Sequence, residues 1–252
     1  MEIDAYGATN VGKVRAANED SFLIDQEMRL YIVADGMGGH QGGGYASSHA
    51  VEGIKEEAKK LEQTQDTTQP LPDGSGRTPS QMRLHHALVN TNEELHKKAQ
   101  EDSSLRGMGT TVTAMQVDGK YVNIAHVGDS RLYVLRGEKL LQVTKDHSWV
   151  QEQVDAGVLN EEEAKSHPLK NIITRSMGHD RDLTVDLLKI EYKPGDKYLI
   201  CSDGLTNMVE DETIKQEMRN GGPQQAVDRL VELALEGGGQ DNITVVLVEI
   251  KE

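Results

Sequence analysis

Cysteine is nearly missing. The 252-residue chain has one, Cys201, which excludes an internal disulfide framework and a cysteine-rich zinc site. Aromatic residues make up only 4%, with one Trp and one Phe, so the core must be aliphatic. Positive charge is in deficit: 27 Lys+Arg stand against 42 Asp+Glu, a net charge of −15. Nucleic acid and anionic membrane repel such a chain, whereas cations suit it. No apolar run reaches the ~18 residues of a membrane span. The first residues, MEIDAYGATN, lack the basic-then-apolar order of a secretory signal. The expectation is a soluble, cytoplasmic protein. Solenoid-type repeats are absent as well. Hydrophobic residues reach 36%, enough for one large core, and no break in composition divides the chain. A single domain over 1–252 is expected.

The patterning alternates between two periods. Residues 2–6 and RLYIVADG (29–36) read as strands, the second ending abruptly in Asp-Gly. Residues 45–61 have helical spacing at Ala46, Ala50, Ile54, Ala58 and Leu61, and 82–100 form a second helix. Between them, 62–81 is a polar insertion holding three of the six prolines, with little to bury. Residues 109–144 are β-branched and alternating, with turns at Asp118-Gly119 and Arg136-Gly137, an antiparallel meander. Short helices and irregular chain follow over 146–178. Two strands lie in 182–204, and 211–220 is a helix capped by Asp211. Another helix runs from Pro223 to Glu236, with Pro near its start and Gly237 past its end. Residues 242–250 close the chain as a strand. Strands come in adjacent runs, which favours an α+β fold of antiparallel sheets with helices outside.

Gly7 to Lys13 spells G-x-x-x-x-G-K, the start of a phosphate-cradling P-loop. The next residue is Val14, where such loops need Ser or Thr for Mg²⁺. The P-loop also needs a parallel α/β core, so the antiparallel pattern counts against a nucleotide hydrolase.

Carboxylates recur at strand ends. Asp35-Gly36 and Asp203-Gly204 each end an apolar strand, Asp129 ends another, Asp241 precedes the last, and Glu19 and Asp20 close the opening stretch. Any one of these is more simply a turn former. Gathered together they would repel and raise one another's pKa unless a cation neutralised them. Hard oxygen ligands suit Mg²⁺, Mn²⁺ or Ca²⁺, and no His/Cys pair has zinc spacing. Two such ions about 3.5–4 Å apart activate a shared water for in-line attack on phosphorus, with no covalent protein intermediate.

VRAANEDSF, VADGMGGH, GTTVTA, VGDSRLY, HPLKNIITRSMG, CSDGL and GGQDNITVVLV occur in one order over residues 3–250. In that order the chain resembles the metal-dependent Ser/Thr phosphatases of the protein phosphatase 2C family, in their compact bacterial form. The resemblance implies a four-layer αββα sandwich, two antiparallel sheets flanked by helices, with a flap at about 147–175 that affects substrate choice. It implies a binuclear Mn²⁺ or Mg²⁺ centre in which Asp35 bridges the ions, Gly36 offers its carbonyl, and Asp203 and Asp241 complete the set. Glu19 and Asp20 would hold metal-bound waters, and Asp129 with Asp203 would serve a weaker third ion. Arg15 matches the family's phosphate-binding arginine, whose planar fork suits two phosphoryl oxygens. The opening stretch then meets phosphate through Arg15 and not through its glycines.

Met37 stands where eukaryotic relatives carry a histidine proposed as general acid, and Met has no proton to give. Bacterial relatives share D-G-M-G-G-H. His40 reads as a structural turn residue. Gly44 replaces a frequent Glu or Asp, which implies local flexibility without loss of metal. Cys201 reads as a packed core thiol: a cysteine phosphatase needs an Arg about six positions on, and Asn207 is there. Ser130 in GDSRL resembles an esterase nucleophile, but no His follows His179 to activate it. His126, His147 and His167 read as hydrogen-bonded or surface residues and not as ligands, and Arg131 as a partner for nearby acids.

The leading expectation is metal-dependent hydrolysis of phosphoserine and phosphothreonine in proteins, by a monomer acting opposite a Ser/Thr kinase on that kinase's substrates. No nucleic acid and no membrane is expected as a partner. An NTPase built on Gly7–Lys13 and a non-catalytic phosphoprotein-binding module are the alternatives. Loss of Asp35, Asp203 or Asp241 would have marked the latter, and all three are present.

Overall fold

Alternation along the strands sorts the side chains of this computed structural model into three apolar layers. It describes residues 1–38, 42–63 and 76–251. One sheet joins β1 (Ile3–Asn10), β11 (Ile243–Ile250), β10 (Lys197–Cys201), β7 (Arg131–Arg136) and β8 (Lys139–Gln142) in that order. The other joins β2 (Asp20–Asp25), β3 (Leu30–Met37), β5 (Val112–Asp118), β6 (Tyr121–Val127) and β9 (Asp186–Glu191), with β4 (Gly109–Thr110) on β3. Every strand pairing is antiparallel.

Within β3, Tyr31 and Val33 face Ile200, Val246 and Val248 of the opposite sheet. Leu30, Ile32 and Ala34 face outward, under α1 (Gly42–Gln63) and α2 (Pro79–Glu101). The first sheet repeats the device. Leu199, Cys201, Val245 and Leu247 turn away from the sandwich, toward α5 (Asp203–Thr206), α6 (Asp211–Arg219) and α7 (Pro223–Glu236). Strands apolar on both faces need cover on both sides, so the result is the expected αββα sandwich. Tyr31, Tyr133 and Tyr198 supply the largest buried side chains, and the rest is mostly aliphatic.

Several expectations shift. The 109–144 stretch is not one meander. It is two hairpins, β5–β6 and β7–β8, one in each sheet. Alternation is the same on either side of Gly128–Ser130, so the period gives no sign of the crossing. β2 was not anticipated, and β1 and α1 run longer than 2–6 and 45–61. Asp211 is not the cap of α6: Glu210 holds that position, and Asp211 opens the first turn. α2 begins at Pro79, three residues ahead of the expected start, and is capped by Thr78 in a reciprocal box with Gln81. As expected, short helices, α3 (Trp149–Asp155) and α4 (Glu161–Ser166), lie within 146–178. Most of the 62–81 insertion, and His40, lie outside the described residues. Among those described, no helix is long and apolar enough to cross a membrane.

Ile200 is fully buried between the sheets. Ile200→Ala should lower the unfolding free energy by about 2–5 kcal/mol in urea titration. Val158→Ala, at an exposed side chain, should change it by less than about 0.5 kcal/mol.

Candidate active site

Antiparallel pairing sets the end of one strand against the start of the next, and so gathers the expected residues on one rim. Asn10, which ends β1, lies opposite Ile243, which starts β11. Cys201, ending β10, faces Val245 on one side and Arg131, starting β7, on the other. Asp20 lies directly opposite Asp35 across β2–β3, and Val127, ending β6, faces Val112. Asp20, Asp35, Asp129, Asp203 and Asp241 therefore converge from both sheets.

Polar side chains missed by the sequence reading hold them there. Thr111 Oγ1 accepts from the Asp35 amide (3.0 Å), and its own amide donates to the Asp35 carbonyl (2.9 Å). The Thr111 and Ser130 hydroxyls are bonded at 2.8 Å, which ties the Asp35 strand to the loop of Asp129. Ser202 donates to Asp20 Oδ2 (2.8 Å), and Asn207 to Asp203 Oδ2 (3.0 Å). Asn242 accepts from the Glu19 amide (2.8 Å) and donates to the Val11 and Ala17 carbonyls (3.0 Å each). Thr111, Ser130, Ser202 and Asn242 are buried in or beside apolar strands, where polar groups need partners, whereas Asn207 is exposed at the C-terminal end of α5.

Gly36 and Gly204 mark the tightest approaches. A Cβ on Gly36 would strike the Gly43 carbonyl, and one on Gly204 the Asn242 carbonyl. Gly44 has room for a side chain, with Asn18 O at 3.8 Å. The Gly12–Lys13 turn does not cradle an anion: the Lys13 amide donates to Gly239 O at 2.7 Å, and the next element is a strand.

Crowding sets the electrostatics. Burial, then the charges of Asp20, Asp203, Asp129 and Asp241, push the Asp35 carboxyl well above the usual range. Asp20 is pushed up to about 7 by burial, against hydrogen bonds from Thr244 and Ser202, with Asp203 and Asp241 adding to the rise. Asp129 reaches about 8 through burial, Asp203 and Asp146, and Asp203 about 6 through burial and Asp241. Arg15 is the cation over this cluster. Its guanidinium donates to Asp241 Oδ2 at 2.6 Å, and that bond, with the Asp203 and Asp35 charges, raises its pKa.

One oxygen each of Asp20, Asp129 and Asp203 is buried with no hydrogen-bond partner. Anionic oxygens left without donors suit a hard divalent cation. Among the described residues no three acidic, imidazole or thiol side chains already stand close enough to enclose an ion. Repulsion spreads bare carboxylates and Arg15 occupies Asp241, so the donor set fits divalent ions without being closed around them.

The neighbouring groups take other roles. Arg131 grips both Asp146 oxygens, Nη2 donating to Oδ2 at 2.7 Å and Nε to Oδ1 at 3.0 Å and Oδ2 at 3.1 Å. His126 is buried, bonded to Thr113 and the Lys145 carbonyl, and held neutral, its pKa lowered to about 3 by burial and His147. His147 accepts from the Gly128 amide (3.0 Å), so its other nitrogen carries the proton toward Asp186 (3.2 Å). His167 packs on Trp149 at 5.1 Å. Met37 ends β3. A larger cleft of about 980 Å³ lies beside the start of β1 and α7, away from these groups. Its Asp4 is paired with Lys251 and its Glu232 with Arg229.

A two-sheet sandwich with aspartates and one arginine on its rim is the layout of a metal-using hydrolase of phosphate esters. The chain belongs to the protein phosphatase 2C family, whose sequence pattern matches residues 12–234. It is 38% identical over 240 residues to the serine/threonine protein phosphatase PstP of Mycobacterium tuberculosis, covering 95% of this chain but 43% of PstP. To protein phosphatase PhpP of Streptococcus pneumoniae it is 37% identical over 256 residues, covering 100% of this chain and 98% of PhpP. A solved catalytic domain of PstP in complex with two manganese ions superposes with a TM-score of 0.78 at 35% identity, covering 99% of each chain.

An aspartate with a raised folded pKa binds its proton more tightly folded than unfolded. Its ionisation therefore costs stability, from the unfolded value of about 3.9 up to the folded one. His126 has the opposite sign, since its lowered pKa makes stability rise with pH, but only up to its unfolded value of about 6.5. Above that the raised aspartates Asp20, Asp35 and Asp129 act to lower stability. The melting temperature of chelator-stripped protein should fall from pH 6.5 to 8.5, and Mn²⁺ should remove most of the fall. A metal-free melting temperature that rises over that range contradicts the carboxylate shifts.

Proposed function

We propose that this chain hydrolyses phosphoserine and phosphothreonine in proteins. The observation that carries the reading is the convergence of Asp20, Asp35, Asp129, Asp203 and Asp241 beneath Arg15, with three carboxylate oxygens left unpartnered. Asp35, Asp203, Asp241 and the Gly36 carbonyl would hold a core pair of Mn²⁺ or Mg²⁺ ions. Asp129 with Asp203 would hold a third, and Glu19 and Asp20 would act through water from outside. Bound there, such ions supply charge neutralisation at phosphorus and water acidified to near-neutral pKa.

The chain's own residues do the rest. Arg15 is half exposed and presents two N–H groups to phosphoryl oxygens once its bond to Asp241 gives way, and its charge is constant across physiological pH. Direct attack by water, without a covalent protein intermediate, is supported by the state of the two candidate nucleophiles. Ser130 is fully buried and bonded to Thr111. Cys201 is fully buried, its thiol pushed up to about 12 chiefly by burial. The segment 147–175 would be a flap over the rim. A monomer opposing a Ser/Thr kinase is the corresponding biological setting.

Phosphate release from a phosphothreonine peptide should rise from background as Mn²⁺ is titrated into stripped protein. Asp203→Asn should lower kcat by at least about 10²-fold, and Arg15→Ala should lower kcat/KM by about 10²-fold, the range for losing one preorganised charge-stabilising donor. No release at any Mn²⁺ or Mg²⁺ concentration from folded protein would favour a phosphoprotein-binding module instead.

A further inference from the structure

The rim continues into a second feature that the phosphatase reading does not use. A cleft of about 500 Å³ opens at Asp129 and Asp203 and runs between the 147–175 segment and the chain that follows α5. That volume lies within the range of ligand sites. The cleft shares its mouth with the reaction centre: Asp129 is 8% exposed, lines it, and has an unpartnered oxygen.

The lining of the cleft is rich in acid, with Glu161 from α4 and Glu210, Asp211 and Glu212 at the start of α6. Two of its three bases are already held in ion pairs. Arg131 is held by Asp146, Lys170 donates to Asn207 Oδ1 at 3.1 Å, and Lys165 pairs with Glu162 at 3.4 Å. Of the acids, Glu212 pairs with Lys215, and Asp211 accepts from the Tyr133 hydroxyl. Glu161 and Glu210 make no ion pair among the described residues. A phosphorylated side chain seated beneath Arg15 would leave its neighbours in the peptide to enter this cleft, since each extended residue advances ~3.3 Å.

We propose that the cleft seats basic side chains flanking the phosphorylated residue, so that the enzyme prefers phosphosites in arginine- or lysine-rich sequence. This rests on the phosphatase reading above. Glu161 and Glu210 set the preference, from opposite walls, without touching the reacting atoms.

Phosphothreonine peptides identical except for two flanking arginines or two flanking glutamates, placed on each side in turn, test it. With Mn²⁺ at low ionic strength, kcat/KM should favour the arginine peptide on at least one side by about tenfold, since one exposed ion pair gives up to about fivefold. The ratio should shrink at 1 M NaCl, where exposed charges are screened. In Glu161→Gln/Glu210→Gln it should fall to about threefold or less, with p-nitrophenyl phosphate turnover unchanged, which also reports an intact fold and centre. A ratio near one on both sides, a preference for glutamate, or a ratio unaltered in the double variant overturns the proposal. Failure to hydrolyse p-nitrophenyl phosphate as well as every peptide overturns the phosphatase reading and this inference with it.

Discussion

Repulsion between buried carboxylates is the constraint around which this molecule is built. Five aspartates crowd one rim, and four of them are pushed toward protonation by burial and by one another. Left to itself such a cluster would fly apart or fill with water. Strand register brings Asp20 against Asp35, and Asp203 and Asp241 onto adjoining strand ends. The apolar layers supply the free energy that holds those strands in place. The site is thus a cost carried by the core, and a divalent cation is the natural partner that turns it to use.

A secondary frame of neutral polar groups makes the crowding tolerable. Thr111, Ser130, Ser202, Asn207 and Asn242 donate to or position the acids without adding charge. Among the described residues Arg15 is the one positive group bonded into the cluster, and it remains half exposed, where a phosphate can reach it. Backbone closeness completes the frame: at Gly36 and Gly204 any side chain would meet a carbonyl of the neighbouring segment. Rigidity at the rim and room in the adjoining cleft divide the labour between chemistry and recognition.

Much of this was legible in the sequence, and the limits have physical causes. Alternating strands with Asp-Gly endings betrayed both the sheets and their acidic rim, because period-2 patterning and strand-end carboxylates are local features. The switch of sheets at Gly128–Ser130 was not legible, since a hairpin reads the same whichever sheet receives it. β2 was hidden because its alternation is short and begins at Asp20, a residue read for its charge. Asn242 and Thr111 went unnoticed because their work depends on chain segments 231 and 225 positions apart in one case and 76 in the other, which no local pattern encodes. The P-loop match failed for the converse reason: Gly12 and Lys13 satisfy a spacing but lie in a turn between antiparallel strands.

The fold stores partly protonated carboxylates in wait for divalent cations. Calorimetric titration of Mn²⁺ into stripped protein at pH 6.5, repeated in buffers of different ionisation enthalpy, tests it most directly. Two or more sites and proton release on binding are expected, because a cation displaces protons from Asp20, Asp35 and Asp129. Binding with no proton release, or no binding at millimolar Mn²⁺, would contradict it.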